Sequence, residues 1–363
     1  MTAVGAPEHV GPASTPRARA LVAPRRRGLL HGGWTRGLGL LAALAALVLL
    51  TFVSVAYGPR SIPLGSVWEA VWSPDPGSEA HAIVQTVRVP RTALGLLVGA
   101  ALGVSGAVLQ GITRNPLADP GIFGIQAGAS LAVVAGISTF GIATFTGYVW
   151  FGFAGAALTT GAVLLIGSLG RGGGTPAKLA LAGAVLSTML SALTTAILVL
   201  DVATLDQFRF WVVGALAGRD AQVAWSLLPF LAVGAVLAVA CARPLNALAL
   251  GEDVATSLGQ RVGRTRALAV LTVVLLAGAA TAACGPIAFI GLTIPHIARG
   301  ICGPDHRWVL PWSAVLGPVL LLGADVVGRA VARPGELQVG IVTALIGAPF
   351  FVALVRRRKL AEL

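Results

Sequence analysis

Charged side chains are scarce in this sequence. They make up 11% of its 363 residues, whereas about a quarter of the residues of an ordinary soluble protein are charged. Lysine occurs only at Lys178 and Lys359, and each is followed by leucine. A phosphate-binding loop requires a lysine followed by serine or threonine. The sequence therefore excludes a soluble fold for most of its length, and it excludes a nucleotide-hydrolysing site of this kind.

Cysteine is also rare. Cys241, Cys284 and Cys302 lie within or at the ends of apolar runs, with no CxxC pair and no ligand-like spacing. Such a pattern indicates neither a disulfide framework nor a metal site. We expect small core residues at these positions, and we expect no cofactor and no catalytic residues.

The abundant feature is apolar length. Hydrophobic residues form 56% of the chain, and its mean hydropathy is +0.86. Because a helical crossing of a bilayer needs about twenty apolar residues, we predict an all-α polytopic membrane protein of about ten transmembrane helices. The predicted spans are residues 37–57, 92–112, 121–140, 144–169, 179–200, 222–242, 265–285, 287–302, 309–331 and 338–355.

The distribution of positive charge predicts the topology. An even number of spans places both termini on one side, and that side carries 19 of the 26 lysines and arginines, so the positive-inside rule makes it cytoplasmic. Residues 1–36 form a predicted disordered basic tail, residues 37–358 one membrane domain, and residues 359–363 a short cytoplasmic tail. The net charge of +12 does not indicate nucleic-acid binding, because no soluble domain gathers it.

The second predicted span is rich in glycine. Gly95, Gly99 and Gly103 lie four residues apart, a spacing that lets helix backbones touch inside a membrane. We therefore expect this helix to be packed among others. Ser105, within a GxSG sequence, together with His296 is also compatible with an intramembrane serine protease. In a chain with 47 glycines such a motif has little specificity, and a helix-packing role for Ser105 is favoured.

Three arginines stand at the outer ends of predicted spans: Arg88, Arg91 and Arg329. Two hypotheses account for them: their heads extend to the headgroups, or they form a positive rim that pairs with carboxylates of a soluble partner. Asp325 is the only acid well inside a span, and we expect Arg329, four residues later on the same helical face, to neutralise it. An ion-coupled carrier usually needs more membrane acids than this, so that class is the less favoured alternative.

The segment 242–266 predicts a short amphipathic helix on the cytoplasmic side. Glu252 and Asp253 suit a helix N-terminus, Val254 and Leu258 form an apolar pair, and Gly259 ends the helix. Two turns are too short to be stable alone, so the helix needs a partner surface. The alternative is a helix lying on the headgroups, anchored by the arginines Arg261, Arg264 and Arg266.

A set of ordered motifs resembles one known family. They are RVPR at 88–91, SGAVLQGITRNPLADP at 105–120, LALGEDVATSLG at 248–259, GPIAFIGLTIPHIAR at 285–299, ADVVGR at 324–329 and GELQVGIVTALIGAPFF at 335–351. With these motifs the chain resembles, from residue 37 to 358, the permease subunits of type II ABC importers, which take up iron–siderophore complexes, haem and cobalamin.

The resemblance implies a bacterial cell-membrane protein that works as a dimer, of identical or sister chains, with two cytoplasmic ATPase subunits and an extracytoplasmic binding protein. It implies that Arg88, Arg91 and Arg329 dock the binding protein. The ATPase-coupling residues it implies are Gly251, Glu252, Asp253, Val254, Ala255, Leu258 and Gly259, and the cytoplasmic gate is Thr175, Pro176, Ala177 and Lys178. The expected cargo is a ferric siderophore; haem and cobalamin remain alternatives.

Overall fold

The computed structural model describes residues 28–30, 32–142, 144–169, 176–333 and 335–356. Within these ranges the chain is built of α-helices joined by short turns. They are α1 Gly33–Ala56, α2 Leu64–Trp72, α3 Glu79–Ile83, α4 Val89–Thr113, α5 Ile125–Phe140, α6 Phe145–Ser168, α7 Pro176–Leu200, α8 Val202–Val212, α9 Ala221–Leu248, α10 Glu252–Ser257, α11 Val262–Val273, α12 Ala279–Cys284, α13 Ile290–Cys302, α14 His306–Val331 and α15 Val339–Arg356.

All ten predicted spans coincide with helices of the structure, so the predicted fold class is confirmed. Seven helical rods are long and apolar enough to cross a membrane, and α5 and α15 are shorter apolar helices. One of the seven is Val262–Cys284, in which a π turn at Val274–Gly278 joins α11 to α12. The first helix begins at Gly33, so its first turn takes in the last residues that were assigned to the basic tail. Residues 1–27 of that tail lie outside the described ranges.

Helix α4 is the centre of the bundle, where it packs against α14, α13, α9 and α11. The predicted series Gly95, Gly99 and Gly103 makes the contact with α14. A Cβ atom on Gly103 would stand 2.5 Å from the Ser313 carbonyl oxygen of α14. A Cβ atom on Gly99 would stand 2.6 Å from the Pro318 backbone. Close backbone contact of this kind holds helices together where lipid removes the hydrophobic drive between them.

The two ends of the bundle are named here by the segments that form them. We call the arginine end the one formed by the end of α1, the start of α4 and the end of α14. The tail end carries residues 28–30, whose backbone pairs with α13: Leu29 N–H donates to the Gly300 carbonyl at 3.0 Å and Leu30 N–H to the Ile301 carbonyl at 2.9 Å. These bonds satisfy carbonyls that a helix C-terminus leaves open, so the segment before α1 caps α13.

Candidate functional site

Arg91 lies at the centre of a buried charge cluster at the arginine end. Its Nη2 donates to Asp325 Oδ1 at 2.7 Å, and its Nε lies 3.1 Å from each oxygen of the same carboxylate. Its Nη1 donates to Glu336 Oε2 at 2.5 Å. One guanidinium thus binds two carboxylates, one on α14 and one on the turn that follows it.

Arg329 binds the other side of the same aspartate. Its Nη2 lies 2.8 Å from Asp325 Oδ2, which confirms the expected pairing along α14. Arg329 also donates to the Ser54 carbonyl at 2.9 Å, to Ser54 Oγ at 3.0 Å and to the Tyr57 carbonyl. Asp325 therefore holds α4 and α14 together, and Arg329 adds the end of α1.

Arg88 closes the last turn of α1. Its Nη1 donates to the carbonyls of Val55 at 3.1 Å and Ala56 at 2.6 Å, and its Nη2 donates to the Arg60 carbonyl at 2.6 Å. Helix C-terminal carbonyls lack partners within their own helix, and a planar guanidinium can serve several of them at once. The side chain is a C-terminal cap for α1 supplied from the start of α4.

The three arginines for which a positive rim or a position at the headgroups was considered are buried in this structure. Arg88 is 4% exposed, Arg91 5% and Arg329 1%. They neither extend to the headgroups nor present their guanidinium groups to solvent, because helix ends and carboxylates of their own chain occupy them. Exposed charged groups at this end include Arg60, which pairs with the exposed Glu79 at 2.5 Å, and Arg333, which lies over the Tyr57 ring.

At the tail end the predicted short helix is present as α10. Gly251 before it and Gly259 after it take positive φ angles of 112° and 80°, which favour glycine, so the helix begins and ends where the sequence predicts. Ala255 is fully buried, whereas Val254 is 43% exposed and Leu258 62%. The apolar pair thus faces away from the bundle.

Glu252 connects α10 to the bundle. Its Oε1 accepts from Arg266 Nη2 of α11 at 2.5 Å and lies 3.6 Å from Arg114 Nη2 at the end of α4. Arg266 therefore pairs within the chain. Arg261 and Arg264 are exposed.

Gln110 is a site that the sequence analysis missed. Its Nε2 lies within hydrogen-bond distance of the carbonyls of Ala118, Gly291 and Leu292, at 3.2, 3.3 and 3.2 Å. Its Oε1 accepts from Arg299 of α13. The side chain therefore joins α4, the turn after it and α13. The available signal was a single amide in an apolar helix, since a polar group at that depth needs partners.

The predicted gate falls partly outside the described residues. Thr175 lies there, as does the side chain of Pro176, the first residue of α7. Ala177 is exposed and Lys178 is partly buried. Ser105, the serine of the protease alternative, is fully buried and donates to the Leu102 carbonyl at 3.0 Å. This bond along its own helix is typical of a packing serine. The described residues hold no cluster of three or more His, Cys, Asp or Glu suited to a metal ion.

Apolar faces without a partner in the chain lie on several helices, among them α7 and α15. On α7 the exposed stripe consists of Leu181, Val185, Met189 and Leu193. On α15 a groove of about 560 Å³ is lined by Val213, Gly340, Ile341, Ala344, Leu345, Ala348 and Pro349. Neither face carries charge, so neither can bind a polar ligand through ion pairs.

Comparison with known proteins gives consistent matches over almost the whole chain. The profile of the FecCD transport family matches residues 46–357. The ferric enterobactin transport system permease protein FepD of Escherichia coli (strain K12) is 45% identical over 325 residues, covering 89% of this chain and 96% of that protein. The cobalamin import system permease protein BtuC of Halobacterium salinarum is 41% identical over 285 residues, covering 78% and 76%.

A solved structure agrees in fold. A chain described as a metal-chelate type ABC transporter in an inward-facing conformation superposes with a TM-score of 0.78 at 29% identity. The superposition covers 88% of this chain and 99% of that one.

Proposed function

Because this chain belongs to the FecCD transport family, we propose that it is the membrane permease subunit of an ATP-driven importer, and that its cargo is a ferric siderophore delivered by an extracytoplasmic binding protein. A siderophore cargo is preferred over cobalamin because the enterobactin permease is the more similar relative, in identity and in the share of both chains covered. Nothing in the described residues favours haem.

The observation that carries the proposal is the surface of α10. The sequence contains no phosphate-binding loop, so ATP must be hydrolysed by a separate subunit. The exposed pair Val254 and Leu258 lies on a short helix that Glu252 fixes to α4 and α11. Such a helix offers an apolar contact to a partner and transfers the partner's displacement to the bundle. We propose that Gly251–Gly259 is the ATPase-coupling element.

This role requires the tail end to be cytoplasmic. The excess of arginine and lysine on that side supports the orientation under the positive-inside rule. Both termini are then cytoplasmic, and the arginine end faces the binding protein. The gate at 175–178 would stand at the start of α7 on the cytoplasmic side.

We propose that the apolar faces of α7 and α15 meet a second permease chain, identical or similar, and border the pathway. Apolar walls contact a bulky chelate without ion pairs, so the permease binds it weakly and leaves selectivity to the binding protein. At the arginine end, we propose that the binding protein docks. In this conformation Arg88, Arg91 and Arg329 stabilise the docking surface from beneath it, and a partner carboxylate could bind Arg91 only by displacing Glu336.

Reconstitution tests the function. Liposomes containing the permease, its ATPase subunit and its binding protein should accumulate radiolabelled ferric siderophore only when ATP is present on the ATPase side. Val254→Glu combined with Leu258→Glu should abolish uptake and ATPase association, whereas Thr256→Ala on the same helix should leave both unchanged. Uptake driven by an ion gradient without ATP would contradict the proposal and favour a secondary carrier. Uptake of labelled cobalamin in place of siderophore would reassign the cargo.

A further inference from the structure

A cavity of about 490 Å³ opens at the tail end between α4, α6, α7 and α11. Its volume falls within the range of about 300–1,000 Å³ that is usual for ligand pockets. The cavity is lined by Ile112, Thr113, Phe123, Leu164, Leu165, Ser168, Leu179, Gly263, Arg266, Ala267 and Val270. Most of this lining is aliphatic or aromatic, and the transport cycle proposed above makes no use of it.

The charge at the cavity is concentrated at one edge. Arg266 lines it, and Arg114 directly follows the lining residue Thr113. The two guanidinium groups share the Glu252 carboxylate, at 2.5 and 3.6 Å. Their side chains are 25% and 43% exposed. Two guanidinium groups carry two positive charges against the one negative charge of Glu252, so this edge keeps a net positive charge. They also have more N–H donors than one carboxylate can accept, so donors remain for an anion.

The position of the cavity indicates what it meets in a membrane. It lies where α4 and α6 end and where α7 and α11 begin, and the ends of membrane-spanning helices are expected near the lipid headgroups. One of its walls, Leu165, is 65% exposed. An apolar space with arginine at its edge matches the two parts of a phospholipid, and basic pockets between helices on the cytoplasmic side are suited to anionic headgroups.

We propose that this cavity binds an acyl chain of an anionic phospholipid from the tail-end leaflet, with the lipid phosphate on Arg266 and Arg114. The phosphate competes with Glu252 for Arg266 and so loosens the connection between α10 and α11. Lipid binding follows from the cavity alone. The regulation of coupling rests on the proposed function of α10.

The test of binding is native mass spectrometry of the purified full-length protein, exposed to phosphatidylglycerol or phosphatidylcholine with identical acyl chains. We expect the wild type to retain phosphatidylglycerol preferentially. Ala267→Phe, which fills the cavity, should retain one phosphatidylglycerol fewer per chain. Leu268→Phe, on the same helix but outside the lining, is the matched control and should behave as wild type. Equal retention of the two lipids, or unchanged retention in Ala267→Phe, would overturn the proposal.

A second variant keeps the test decisive if Ala267→Phe fails to fold. Arg266→Gln should lower the preference for phosphatidylglycerol over phosphatidylcholine severalfold while leaving the acyl cavity intact. An unchanged preference would show that the arginine does not bind the headgroup and would overturn the assignment. A wild-type protein that retains no lipid, because its own chain fills the cavity, would do the same. Neither measurement requires ATP or cargo, so failure here is distinguishable from failure of the proposed transport function.

Discussion

Arg91 and Asp325 lie 234 positions apart in the chain, yet they form a buried ion pair in which Arg91 Nη2 donates to Asp325 Oδ1 at 2.7 Å. The pair fixes the start of α4 against the last turns of α14. A buried pair of this kind adds less net stability than its geometry suggests, because both ions lose their hydration. The loss of one partner is far more costly, since a charge is then left buried without compensation.

The first prediction concerns that cost. Asp325→Asn removes the carboxylate charge that neutralises the buried guanidinium groups of Arg91 and Arg329. We expect it to lower the free energy of unfolding by about 3–5 kcal/mol, measured by thermal unfolding of the purified protein in detergent. Glu79→Gln removes the exposed partner of Arg60 and should leave the midpoint unchanged, because exposed ion pairs contribute little. Equal midpoints for the two variants would contradict the buried network.

The second prediction concerns the cap on α1. In Arg88→Lys the positive charge is kept, but an ammonium group cannot reproduce the planar fork that serves the carbonyls of Val55, Ala56 and Arg60. We expect faster amide hydrogen exchange in residues 53–60 and unchanged exchange in α9. Arg60→Lys, a change at an exposed position in the segment that follows α1, is the control. Protection equal to wild type in Arg88→Lys would show that charge alone is sufficient.

The third prediction concerns the contact of α4 with α13. A Cβ atom on Gly106 would overlap the Gly291 backbone, with its Cα at 2.5 Å. Gly106→Ala should therefore fail to give a monodisperse peak in size-exclusion chromatography after extraction. Gly37 has no atom within 4 Å of such a Cβ, and Gly37→Ala should be neutral or should stabilise α1 by about 1 kcal/mol. A well-folded Gly106→Ala protein would mean that the two helices are farther apart than described.

The fourth prediction concerns the connection of α10 to the bundle. Glu252→Gln weakens the ion pairs to Arg266 and Arg114 without shortening the side chain. In the reconstituted importer we expect about threefold less cargo transported per ATP hydrolysed, in line with a partly exposed ion pair. Asp253→Asn is the control. It removes an exposed acid from the same helix N-terminus, so any loss of helix stability is common to both variants, but it leaves the ion pairs of Glu252 intact. A similar loss in both variants would point to helix stability instead.

The short helix α10 shows what local sequence can predict. Its beginning and end depend on Gly251 and Gly259, and the exposure of Val254 and Leu258 depends on helical spacing. All of these are interactions between near neighbours in the chain. The Asp325–Arg329 pair, one turn apart, was predictable for the same reason.

The environment of the arginines shows what local sequence cannot predict. Their position at the ends of spans was visible in the sequence, but their burial was not, because it results from groups that are distant in the chain. Arg88 depends on the end of α1, Arg91 on Asp325 and Glu336, and Gln110 on α13. Only the packed bundle brings these partners together.

The sequence by itself determined that the chain is a helical membrane protein and where the short helix α10 stands, since apolar length and glycine positions act locally along the chain. The tertiary structure alone decided that the three arginines are buried and bound to groups of their own chain. It also decided that a cavity of about 490 Å³ opens beside Arg266. Both outcomes depend on which helices pack side by side, and that packing brings together residues that are far apart in the chain.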